Sequence, residues 1–143
     1  MSCVTFWTPR QRERLREAAG APPVATFASP EIGESKRRRV ALLAESDDPR
    51  VRESAALNAH IPAEALERLA GDPEMSVRCC VARSPRATPE ILARLATDDQ
   101  APVRRWTAAH RDTPADVLDQ LADDPDQGVS EVVAWNRRWP SAE

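Results

Sequence analysis

Three arginines, Arg52, Arg78 and Arg104, recur at a fixed interval, and three aspartates, Asp72, Asp98 and Asp124, recur at the same interval. A row of guanidinium groups has two chemical uses. Left open, it is a basic stripe that holds phosphates or carboxylates. Matched by carboxylates, it is a ladder that ties one part of the chain to the next. Each arginine here has an equally periodic acidic counterpart, so the six residues are read as a structural ladder.

Other reactive residue types are less usefully placed. Cys79 and Cys80 invite a metal or redox reading, but adjacent cysteines supply two tetrahedral ligands poorly, and no Cys or His stands where it would complete the set. They are read as packing residues or exposed thiols. His60 and His110 fall at different repeat positions and are no ligand pair. No Ser-His-Asp or Cys-His set and no Gly-rich phosphate loop is visible, and the carboxylates are read as caps and solvated faces. The expectation is therefore a non-enzymatic protein with no catalytic residues, no metal and no cofactor.

Two groups of residues remain as binding candidates. Trp106, Trp135 and Trp139 carry large apolar surface, and tryptophan and arginine are the commonest interface anchors. Trp106 beside Arg105, together with Glu53 and Arg83 at neighbouring variable positions, forms the expected partner-binding set. Trp135 and Trp139 are expected to seal the last unit. The run Lys36, Arg37, Arg38 and Arg39 is a basic patch, read as a solvated face or as a contact for an anionic partner.

These residues are positioned by a repeat of 26 residues. In that register Val51, Val77, Val103 and Val129 coincide, as do Ala56, Ala82, Ala108 and Ala134. Leu43, Leu69, Leu95 and Leu121 coincide too, each followed by alanine, with Val40, Leu66, Leu92 and Leu118 one turn upstream. Each unit reads as two helical pieces. The first, as in "TPEILARLAT" or "TPADVLDQLA", buries one apolar stripe, with Thr88 and Thr113 as N-caps before Pro89 and Pro114. Thr113 with Asp116 also has the spacing of a capping box. The second piece is expected to start at Asp72-Pro73 or Asp124-Pro125, to be short, and to be partly 3₁₀. So short a helix needs neighbouring units to cover its valine and alanines.

The order seen in "DPEMSVRCCVARSPRATPEILARLA" resembles the leucine-rich repeat variant family, with HEAT-like repeats as the nearest competitor. The resemblance spans roughly residues 40–140. It implies a right-handed superhelix of alternating α and 3₁₀ helices without a β-sheet, and a scaffold with no shared catalytic residues to carry over. Ser130 takes the place of the repeated arginine, and "NRRWPSAE" breaks off where another first helix is due, which reads as a C-terminal cap or a truncated array.

The expected fold is therefore all-α: a right-handed solenoid of about four units over residues 36–143, preceded by an irregular helical cap and connector over residues 1–35. Thirteen prolines against four glycines, and no tyrosine, fit many short helices. Residues 1–40 hold eight Arg/Lys against four Asp/Glu, whereas residues 41–143 hold twelve against nineteen. That acidic body argues against a nucleic-acid stripe along the array. With no membrane-length apolar run, no secretory signal and three cysteines that form no disulfide framework, a cytoplasmic protein is expected. A single lysine among twenty basic residues fits a GC-rich bacterial coding sequence. The function read from this is a scaffold that binds an unidentified protein partner through variable inter-repeat positions. The alternative is a nucleic-acid-binding helical-repeat protein that uses the basic segment and the arginine ladder.

Overall fold

The computed structural model describes residues 32–138. They lie within the compact unit Glu31–Glu143. Residues 1–31 and 139–143, and with them the expected N-terminal cap and the role given to Trp139, lie outside the described residues.

Eight helices and no strand occur among the described residues, in the order α1 (Ile32–Leu43), α2 (Pro49–Ala56), α3 (Ala63–Leu69), α4 (Met75–Ala82), α5 (Pro89–Leu95), α6 (Ala101–Ala109), α7 (Ala115–Ala122) and α8 (Gln127–Arg138). This is an all-α helical repeat. Helices α2, α4, α6 and α8 begin 26 residues apart, and so do α3, α5 and α7. The even-numbered helices pack successively against one another, and each odd-numbered helix packs against the even-numbered helices that flank it in the chain.

The repeated apolar residues build this stack. Val77, Val103 and Val129 are fully buried, as are Ala56, Ala82 and Ala108. Those alanines lie on even-numbered helices that pack against one another, so each is a methyl group where helix meets helix. Leu66, Leu69, Leu92, Leu95 and Leu121 fill the space between the odd helices and the stack. A helix of seven or eight residues does not hold its shape alone in water, so burial of these faces is what keeps it helical.

Three local expectations are corrected. Both pieces of every unit are α-helical, so the short second piece is not 3₁₀. Tight stacking of its buried face supports α geometry even over eight residues. The aspartates do not start the second helices either. Asp72 and Asp124 accept hydrogen bonds from the N–H groups of Glu74 and Asp126, two residues on, and so close a turn ahead of the helix. The N-cap positions are Asp48, Glu74 and Gln100, and among them only the Asp48 carboxylate accepts from the helix backbone, at Arg50. Finally, Thr88 caps α5 through Ile91 N–H, but Thr113 does not cap α7. Its buried hydroxyl donates to the Thr107 carbonyl at 2.6 Å, which satisfies it inside the stack instead.

Candidate functional site

Each repeated arginine reaches in two directions. Arg52 donates through Nε and Nη2 to both carboxylate oxygens of Asp72, at 2.7 and 3.0 Å. Arg78 does the same to Asp98 at 2.6 and 3.1 Å, and Arg104 to Asp124 at 2.7 and 3.0 Å. The third nitrogen, Nη1, donates backwards to the loop before the arginine's own helix: to Ser46 and Asp47 carbonyls from Arg52, to Asp72 and Pro73 from Arg78, and to Asp98 from Arg104. Asp72 and Asp98 therefore each receive one arginine on the carboxylate and the next on the carbonyl. Loop is joined to loop in one continuous series.

This chemistry faces inward. Side-chain exposure is 13, 16 and 14 % for Arg52, Arg78 and Arg104, and 5, 9 and 5 % for Asp72, Asp98 and Asp124. Burial by itself raises the Asp72 and Asp98 pKa values. Hydrogen bonds from the arginine and from the backbone N–H two residues on, with the arginine charges, outweigh it and hold both carboxylates below their usual range. Asp124 is lowered chiefly by its hydrogen bond from Arg104.

A second ladder was not read from the sequence. Asn58, Ser84, His110 and Asn136 share one register position. The first three accept from the backbone N–H two residues on, at His60, Arg86 and Asp112. His110 Nε2 lies 3.1 Å from the Ser84 carbonyl, and Asn136 Nδ2 donates to the Ala108 and His110 carbonyls. A carbonyl only accepts, so Nε2 of His110 carries the hydrogen and Nδ1 is the acceptor for Asp112 N–H. The signal was present as four hydrogen-bonding residues at 26-residue spacing, but their types differ, and a search for identical residues passes over them.

The binding candidates separate. Arg83 and Trp106, from α4's C-terminus and α6, come together: the guanidinium carbon lies 4.6 Å from the ring centroid. They line a groove of about 410 Å³ together with Ala82, Pro85, Ala109, His110 and Arg111. Trp106 is 44 % exposed. Arg105, next to it in sequence, is turned to the following unit, where it pairs with Asp126 at 3.0 Å over the backbone of Gly128. Glu53 is half-buried on α2 and does not line this groove. Trp135 is 58 % exposed rather than sealing anything. Its register position is that of Leu57, Arg83 and Ala109, the outward side of the even-numbered helices, so its exposure follows from its place in the repeat. Arg37, Arg38, Arg39 and Lys36 are exposed on α1, with Arg38 near Glu34 at 3.7 Å.

Cys79 is half-buried and Cys80 buried, both as free thiols, and burial pushes both thiol pKa values up, away from reactive thiolate. No described group of three His, Cys, Asp or Glu side chains could hold a metal ion, and no described helix is long and apolar enough to cross a membrane.

The leucine rich repeat variant family model matches residues 49–74 and 102–126. Two stretches of the chain are similar to leucine rich repeat variant repeats. The first matched stretch runs from α2 through Asp72, and the second from α6 through Asp124, so each contains one complete arginine–aspartate rung. The intervening unit, with α5 between the matched stretches, has the same rung at Arg78 and Asp98. No curated protein and no solved structure matches the chain.

Proposed function

We propose that this repeat scaffold is non-enzymatic and binds another protein through the outward side of its even-numbered helices. The observation that carries the reading is a division of labour. The repeated Val77, Val103, Val129, Ala56, Ala82 and Ala108 and the arginine–aspartate rungs are turned inward, while the register positions of Ser54 and Leu57 change from unit to unit. On those two positions stand Leu57, Trp106 and Trp135, all large, apolar and exposed. A fixed frame carrying variable exposed anchors supports recognition by shape and a few large side chains.

A nucleic-acid reading draws support from the exposed basic run on α1. It loses support from the ladder, because Arg52, Arg78 and Arg104 already have all three guanidinium nitrogens engaged. The two readings separate in one experiment. Purified wild type and Trp106→Ala are compared in a pull-down, each with and without nuclease. The scaffold reading expects a protein captured by wild type regardless of nuclease and lost, or reduced about tenfold, with Trp106→Ala. Capture that disappears with nuclease, and also on neutral substitution of Lys36, Arg37, Arg38 and Arg39, moves the function to nucleic acid.

A further inference from the structure

We propose that the groove between α4 and α6 binds a linear protein segment bearing an Asp or Glu next to a bulky apolar side chain. The proposal rests on the scaffold reading and assigns the chemistry of its partner. The groove lining combines apolar surface with positive charge. Pro85, Ala109 and the Trp106 ring offer apolar contact, and Arg83 and Arg111 are the charged residues that line it.

The Arg83 charge has no carboxylate partner among the described residues, unlike the arginines that tie neighbouring units together. Arg52, Arg68, Arg78, Arg104, Arg105 and Arg137 each pair with a carboxylate of another unit or helix. No carboxylate among the described residues pairs with Arg83, and the nearest to Arg111 is its exposed neighbour Asp112 at 3.5 Å. Stacking on Trp106 restricts the Arg83 guanidinium, and no hydrogen bond among the described residues uses its in-plane N–H donors, which suits receipt of a carboxylate through two parallel hydrogen bonds. The nitrogens of His110 are occupied by the Ser84 carbonyl and Asp112 N–H, so the arginines supply the open donors.

The size and shape select a segment over a larger body. A groove of about 410 Å³ lies near the low end of small-ligand pockets, roughly 300–1,000 Å³, and holds about two side chains. A nucleic acid fits less well. The Trp106 face under Arg83 is closed to a stacking base, and the surrounding residues 41–143 hold nineteen acidic against twelve basic side chains.

The test is selection from a phage-displayed library of random short linear peptides on the full chain, followed by anisotropy titration of the best labelled peptide. Selected peptides are expected to share the acidic–apolar pair. Arg83→Gln or Arg111→Gln, each checked for unchanged helical content by circular dichroism, weakens binding about tenfold, and Trp106→Ala weakens it at least as much. Arg86→Gln, an exposed arginine that does not line the groove, leaves it unchanged. Changing the peptide acid to its amide costs wild type the same factor and costs Arg83→Gln little more. Acid-free peptides that still depend on Trp106 overturn the carboxylate assignment and leave the scaffold reading standing. No selected peptide, with nuclease-resistant capture intact in the pull-down, also overturns this proposal alone; loss of both results removes the scaffold reading as well. A labelled single-stranded DNA oligonucleotide that binds wild type and loses affinity with Arg83→Gln overturns it in favour of nucleic acid.

Discussion

Taking a carboxylate out of water costs free energy unless a cation and backbone N–H groups replace its hydration, and Asp98 has both. It receives Arg78 through two nitrogens and the N–H of Gln100 through Oδ1. Because its folded pKa lies below the unfolded value of about 3.9, the rung's contribution is fully present above that value and is lost as pH falls through the folded pKa. Asp98→Asn keeps the shape but leaves the Arg78 charge half-buried without an anion. The expected cost at pH 7 is about 2 kcal/mol, between the values for exposed and buried pairs, or roughly 10 °C in thermal midpoint. As the pH is lowered from 7 towards 3 the wild-type midpoint should fall toward that of Asp98→Asn, because wild type then loses by protonation what the variant already lacks. A midpoint difference that stays constant down to pH 3 would show that the rung is not titrating. Calorimetry at a series of pH values decides it.

At the scale of the element, no helix stands alone. Helix α4 is eight residues long and keeps its shape through Val77, Val81 and Ala82, which are buried against α2 and α6. Val77→Asp places a charge at a fully buried position with no designed partner, and the array should lose its cooperative melt and most of its helical circular dichroism. Retained helicity would mean that Val77 does not sit between units. Such positions were legible in the sequence because the same apolar type recurs at every unit, and a repeated valine has only one reason to be there. The rungs were legible for the same reason, being identical residues at identical spacing. What was not legible was how each aspartate is used. An Asp-Pro pair looks the same whether it caps a helix or closes the turn ahead of it, and the choice was made by Arg52 and Arg104, which draw Asp72 and Asp124 out of the cap position. The groove was half legible. Trp106 and Arg83 stand at variable positions, but that Arg83 meets Trp106 while Arg105 turns to Asp126 depends on the rotation of α6 against α4 and α8.

Across the described repeats, stability is a sum of units and of the interfaces between neighbours, so a unit's resistance to opening depends on how many neighbours cover it. Helices α4 and α6 each have an even-numbered helix packed on either side, and their alanines Ala82 and Ala108 are fully buried. Helix α8 differs: Ala134, at the same register position, is exposed, as is Trp135 beside it. The ladder also lapses there. Ser130 stands where Arg52, Arg78 and Arg104 stand in the other units, and its hydroxyl turns back to the Gln127 carbonyl of its own helix instead of reaching across. Among the described residues α8 thus has an even-numbered neighbour on one side only, and no rung leads on from it. Native-state amide hydrogen exchange should therefore find the slowest amides in α4 and α6, with α8 opening at lower free energy and exchanging at least about tenfold faster, a difference of some 1.4 kcal/mol. Equal protection in all three would show that the described repeats open as one cooperative block, and that the missing rung at Ser130 leaves no mark on the whole. Faster exchange confined to α8 would place the lowest opening barrier away from the Arg83–Trp106 groove, leaving that groove on the most rigid pair of helices in the stack, where a binding surface loses least ordering entropy when its partner arrives.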